Sequence, residues 1–131
     1  MARPSSPQPT DVELQILEVL WRRGPSTVRQ VHEDLADRRE TRYSTTLKML
    51  QVMKQKGLVL RDDSVRPQLY RAAKSKRVTE LEVLDHLTGK LFGGSAKRLV
   101  MRMLSDKRIS RADLAEFEQM AWEAEEGQRA E

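Results

Sequence analysis

The stretch Thr41–Arg71, TRYSTTLKMLQVMKQKGLVLRDDSVRPQLYR, decides how the rest of the chain is read. Leu47, Leu50 and Met53 recur every third residue with Thr46 and Met49 beside them, which predicts a helix with one apolar face toward a core. Ser44, Thr45, Lys48, Gln51 and Gln55 fall mainly on the other faces, free to reach a partner. Thr46 shares the apolar face and is expected to be buried beside Leu50. Lys54 and Lys56 make the last turn cationic, and Gly57 ends the helix on a residue that tolerates positive φ. Leu58–Arg61 and Leu69–Arg71 then alternate like short strands, with Asp62, Asp63, Ser64 and Pro67 as turn residues and Arg66 at the tip.

Working outward, Thr10 and Glu13 form a capping box ahead of Val12, Leu14, Ile16, Leu17, Val19, Leu20 and Trp21. That first helix stops near Gly24-Pro25. Thr27 and Gln30 repeat the spacing before Val28, Val31 and Leu35, which predicts a second helix closed by Arg38 and Arg39 at its negative end. The third helix starts between Thr41 and Tyr43, where no residue is a decisive cap. Three helices and a hairpin over residues 10–73 describe a winged helix-turn-helix domain, in a chain that is mostly α. Residues 1–9, with three prolines and two serines, read as a flexible arm.

Residues 74–127 change character, because each further cap signal introduces a helix and no strand follows. Ser75 or Thr79 opens one through Leu81, Leu84, Leu87, Leu91 and Phe92, stopped by Gly93-Gly94. Ser95 opens the next, with Leu99, Val100, Met103 and Leu104 on its apolar side. Ser110 and Asp113 box the last, where Leu114, Phe117, Ala121 and Ala124 lie at heptad-like spacing beside Met120 and Trp122. Three short helices make a poor core alone, so Leu84, Leu87, Leu91, Leu99, Met103, Leu114, Phe117 and Ala121 are expected to pack against a second copy. The competing reading is a monomeric helical cap. Trp21 and Trp122 read as core or dimer-interface anchors, and the methionines as gap fillers.

Charge agrees with this division. Residues 1–74 carry 14 Lys plus Arg against 9 Asp plus Glu, a net +5, whereas residues 75–131 carry 10 against 11, a net −1. The basic half attracts phosphate backbones through counterion release, although an excess of this size is weak evidence alone. Cysteine is absent, which excludes disulfides, thiolate metal sites and cysteine nucleophiles. No apolar run approaches the roughly 20 residues of a membrane span, and the first residues lack the apolar centre of a signal peptide. The expectation is a cytoplasmic protein without membrane insertion.

The segments ELQILEVLWRRGPSTVRQVHEDL and RYSTTLKMLQVMKQKGLV, followed by the hairpin and helical tail, resemble the penicillinase-repressor and methicillin-resistance-repressor family of bacterial winged-helix regulators. The likeness covers about residues 10–126. It implies a homodimeric transcriptional repressor on a palindromic operator of double-stranded DNA. It also implies that Arg42–Lys56 is the DNA-contacting helix, with Tyr43, Ser44, Thr45 and Lys48 in the turns that meet the major groove. Arg66 would then touch backbone or minor groove, and Arg42, Lys54 and Arg29 would face phosphates. Drug-responsive members of the family are switched off by cleavage at an asparagine-phenylalanine bond. Here the matching pair is Arg102-Met103, so the resemblance carries no proteolytic switch, inducer, sensor or protease partner onto this chain. Copper-responsive relatives use cysteine pairs that this sequence lacks.

Bland roles compete at each position. Ser44 or Thr45 would only satisfy helix-start amides, Lys48 would be a solvated lysine, and Tyr43 would pack under the wing. An enzyme is disfavoured, and no cofactor is expected: His32 beside Glu33 and Asp34, and His86 beside Asp85, diverge on their helices, and phosphate-loop, HExxH and nucleophile-elbow motifs are absent. A winged helix used against another protein, or against RNA, is the remaining rival. The basic, hydroxyl-bearing surface at Ser44, Thr45, Lys48 and Arg66 favours a polyanion instead.

Overall fold

A computed structural model describes residues 8–130. The elements run α1 (Asp11–Arg23), α2 (Val28–Ala36), α3 (Tyr43–Lys56), β1 (Val59–Asp62), β2 (Leu69–Ala72), α4 (Lys76–Leu91), α5 (Ala96–Ser105) and α6 (Arg111–Ala130). The expected arm falls outside the described residues except for Gln8 and Pro9, which are half-buried. One compact unit extends to Leu84 and a second begins at Asp85, a division inside α4.

The caps are formed as the spacing requires. The Thr10 and Thr27 hydroxyls accept the amides of Glu13 and Gln30, whose side chains accept the cap amides in return. Ser75, rather than Thr79, opens α4, since its hydroxyl accepts the Val78 amide while Thr79 is buried within the helix. Ser95 caps α5, and Ser110 with Asp113 boxes α6. Helix α3 has only backbone at its cap position, Arg42, and ends on Gly57 in the left-handed region at φ 81°. Arg38 and Arg39 do not close α2 from within: the helix ends at Ala36, and their amides both turn back to the Leu35 carbonyl. The Gly-free turn after Ala36 carries them outward to the surface.

The core of the first unit joins Ile16, Leu17, Val19 and Leu20 of α1 to Val31 and Leu35 of α2, Leu50 and Met53 of α3, and Val59 and Tyr70 of the hairpin. Each such side chain contributes about 1.5–3 kcal/mol by leaving water. Thr46 is buried with them, as its place on the helix face demands, but Leu47 is only half-buried and turns toward the wing. Periodicity misplaced Leu47 because the buried stripe runs Thr46, Leu50, Met53, which leaves Leu47 at its edge.

The hairpin is antiparallel with Val59 opposite Ala72 and Asp62 opposite Leu69. It is fastened to the helices by a bridge that the sequence did not announce: Ser26 and Tyr70 exchange amide-to-carbonyl bonds of 2.9 and 2.7 Å. The loop after α1 thereby serves as a third rung beside β2, and buried Tyr70 locks it in place. Trp21 adds a second tie, donating its indole N–H to the Lys74 carbonyl at 3.0 Å.

The helical region beyond Leu84 buries little of its own apolar surface. Helix α5 has no buried residue, and Leu91, Met101, Phe117, Met120 and Trp122 are each about half exposed or more. Leu87, Met103 and Leu114 are exposed, as is Ala121, and Leu99 is half-buried; Leu84, at the end of the first unit, is exposed as well. Lys107, at φ 58°, closes α5 from the left-handed region in place of a glycine.

Candidate nucleic-acid interface

The buried stripe of α3 fixes what its opposite side presents. With Thr46, Leu50 and Met53 inward, Arg42, Tyr43, Ser44, Thr45, Lys48 and Lys54 are all exposed. The Ser44 and Thr45 hydroxyls have no hydrogen-bond partner among the described residues, and Lys48 has no ion pair. Ser44 and Thr45 therefore do not spend their oxygens on helix-start amides. Among the described residues the amides of Tyr43 and Ser44 also lack an acceptor, because the α3 cap offers no side-chain oxygen. Donors and cations at the positive end of a helix suit an anion.

Tyr43 does not pack under the wing. It stands 43% exposed against α2, with the Arg29 guanidinium 5.7 Å above its ring and the centroid of the His32 ring 5.6 Å away in a T-shaped contact at 78°. A cation held over an aromatic face keeps a fixed direction while staying wet. Arg29 thus joins the exposed start of α3, although it belongs to α2.

The wing brings in Arg66. Its guanidinium donates to the Asp63 and Val65 carbonyls at 2.9 and 3.2 Å and makes no ion pair among the described residues, while its charge also acts on the Asp63 carboxylate. Arg61 is instead paired with Asp63, and Asp62 accepts the Ser64 amide and hydroxyl. Both carboxyls are held below their ordinary range, Asp63 by the Arg61 hydrogen bond first and Asp62 by those from Ser64. The acidic residues of the loop are thus occupied with shaping it. Arg66 overhangs a cleft of about 470 Å³ lined also by Thr27, Val28, Arg29, Tyr43, Leu47, Pro67 and Gln68.

The structure therefore gathers Arg29, Tyr43 and Arg66 around one cleft, with Arg42, Ser44, Thr45 and Lys48 on the adjoining turns of α3. Lys54 stands apart near the end of that helix, where its charge acts on Asp63. Gln68, Thr27 and half-buried Leu47 complete the surface; Thr27 and Gln68 lie beside the long-range Ser26–Tyr70 bridge, and Leu47 sits at the edge of the buried stripe. Among the described residues no helix is long and apolar enough to cross a membrane.

Comparison with known proteins places this arrangement. A 56-residue segment is 48% identical to the transcriptional regulator BlaI of Mycobacterium tuberculosis, in strain CDC 1551 / Oshkosh and equally in strain ATCC 25618 / H37Rv. The match spans 40% of this chain and only 41% of the length of those relatives. A solved MarR family protein from Bacillus stearothermophilus is similar over 92% of this chain and 75% of its own, at 19% identity and a TM-score of 0.49. The model of the penicillinase repressor family matches residues 9–123, nearly the whole chain, and the protein with its winged helix belongs to that family.

Proposed function

We propose that two copies of this chain bind a palindromic DNA operator and repress transcription, with α3 in the major groove and the hairpin against the flanking backbone. The observation that carries the reading is the α3 surface: exposed Ser44, Thr45 and Lys48 without internal partners, on a helix whose opposite stripe is core. Tyr43, Ser44, Thr45 and Lys48 are assigned to the groove, and Arg66, Arg42, Arg29 and Lys54 to phosphates. Hydroxyls and a lysine can serve base edges or backbone, whereas guanidiniums at the rim fix register.

Duplication supplies what one copy lacks. A single recognition helix reads only a few base pairs, and a two-fold pair reads two half-sites one turn or a multiple of it apart. The exposed apolar residues Leu84, Leu87, Leu91, Met103, Leu114, Phe117 and Ala121, with half-buried Leu99, are assigned to the contact between copies. Their burial would remove an apolar surface that isolated chains rarely leave in water. A repressor of this kind works in the cytoplasm, and the reading gives it no catalytic step and no cofactor.

Fluorescence anisotropy of a labelled duplex, titrated with purified protein at several salt concentrations, tests the reading. Affinity that falls steeply with salt and exceeds that for a scrambled duplex is expected. Absence of binding in dilute buffer would overturn it and favour a protein-binding winged helix.

A further inference from the structure

From α2, His32 touches α3 through both a polar and an aromatic contact. Its Nδ1 lies 2.9 Å from the Thr46 hydroxyl, and its ring meets that of Tyr43 in a T-shaped contact at a centroid separation of 5.6 Å. Arg29 and His32 are three apart on α2, and Tyr43 and Thr46 are three apart on α3, so each pair lies on one face of its helix. Two rungs result, Arg29 over Tyr43 and His32 to Thr46, with the T-shaped His32–Tyr43 ring contact as a diagonal. Thr46 is buried and Tyr43 is exposed, so the constellation runs from the core to the surface.

We infer that His32 is a positioning residue for DNA recognition: hydrogen-bonded to buried Thr46, it sets the ring of Tyr43 and through it the Arg29 guanidinium. The Thr46 bond fixes rotation of the imidazole about its own side-chain torsion. The fixed imidazole then restricts Tyr43 to one direction, in the T-shaped arrangement that aromatic quadrupoles favour. Arg29 lies on the Tyr43 ring and inherits that direction. His32 itself contacts no DNA in this scheme. A mobile Tyr43 would bind with the same chemical groups but a larger ordering cost. This rests on the interface proposed above.

The test uses the full chain and a duplex that the wild-type protein selects from a randomised pool. His32→Ala is expected to lower affinity for that duplex about tenfold, the order of one lost hydrogen bond plus added disorder. In a Tyr43→Ala background the same change should have little further effect, because the role passes through the tyrosine. Thr46→Val should reproduce part of the loss, and His32→Asn, which keeps a polar partner for Thr46 without the ring, should not restore it. Aromatic NMR of the free protein supplies a signature independent of DNA: the Tyr43 ring signals should shift and broaden in His32→Ala. Equal losses in both backgrounds, or unchanged Tyr43 signals, would overturn the inference. A wild-type protein that selects no duplex would sink the interface reading instead, while the Tyr43 spectrum would still report whether His32 holds the ring.

Discussion

Lys56 Nζ lies 2.7 Å from Glu13 Oε2, a bond that ties the last turn of α3 to the first turn of α1. Glu13 is 5% exposed at its side chain, and its other oxygen accepts the Thr10 amide at 2.9 Å. One carboxylate therefore caps α1 and anchors the far end of α3. Burial pushes the Glu13 pKa up, but the Lys56 hydrogen bond and charge, with the Thr10 bonds, outweigh it and hold the carboxyl below its ordinary value.

Acid should expose this tie. Because the folded value is the lower one, the stabilisation is complete above the unfolded pKa of about 4.3 and is lost as pH falls through the folded value. Glu13→Gln should flatten stability against pH in that acid range. Lys56→Ala should cost about 1–3 kcal/mol at neutral pH by leaving a buried carboxylate without its cation. Urea denaturation at pH 7 and at acid pH checks both, and wild-type midpoints throughout would contradict the assignment.

Gly57 ends α3 at φ 81°, and a Cβ built there meets nothing within 4 Å. Gly57→Ala therefore carries backbone strain alone, about 1–2 kcal/mol. Thermal unfolding should show a lower midpoint, with DNA affinity unchanged at temperatures where the variant is folded. A midpoint equal to wild type would mean that the left-handed cap is not kept.

Arg66→Ala and Lys48→Ala separate the two kinds of DNA contact. A phosphate contact, expected for Arg66, weakens binding to all sequences and reduces the salt slope by about 1. A base contact, available to Lys48, relaxes a single operator position at a cost of about 1–3 kcal/mol. Anisotropy titrations over salt and over single-base operator variants read these outcomes, and unchanged affinity in both substitutions would remove the assigned surface.

Phe117 is 47% exposed and Leu114 39% exposed in the single chain. If a second copy covers them, Phe117→Asp or Leu114→Asp buries a charge at the contact, so sedimentation velocity should report monomers. Operator affinity should fall with them, by about tenfold or more, because avidity is lost. A variant that remains dimeric would place the contact elsewhere.

Most of the fold was legible because its signals are local. The Thr10–Glu13, Thr27–Gln30 and Ser110–Asp113 boxes each need only three-residue spacing, and Gly57 and Gly93-Gly94 stop their helices within the same short range. The Ser26–Tyr70 bridge and the Trp21–Lys74 bond were illegible for the opposite reason, since they join residues far apart in sequence. The exposed cations and hydroxyls of α3 follow from its stripe, but the part played by Arg29 and His32 depends on how α2 crosses it. A one-residue error in the stripe sufficed to misplace Leu47.

Hydroxyl-radical footprinting of the purified protein on the duplex it selects tests the central claim most directly. Two copies with α3 in successive major grooves predict two protected patches on one face of the duplex, related by a dyad and separated by about one helical turn or a multiple of it. A lone asymmetric patch, or backbone cleaved uniformly at every protein concentration, would contradict it.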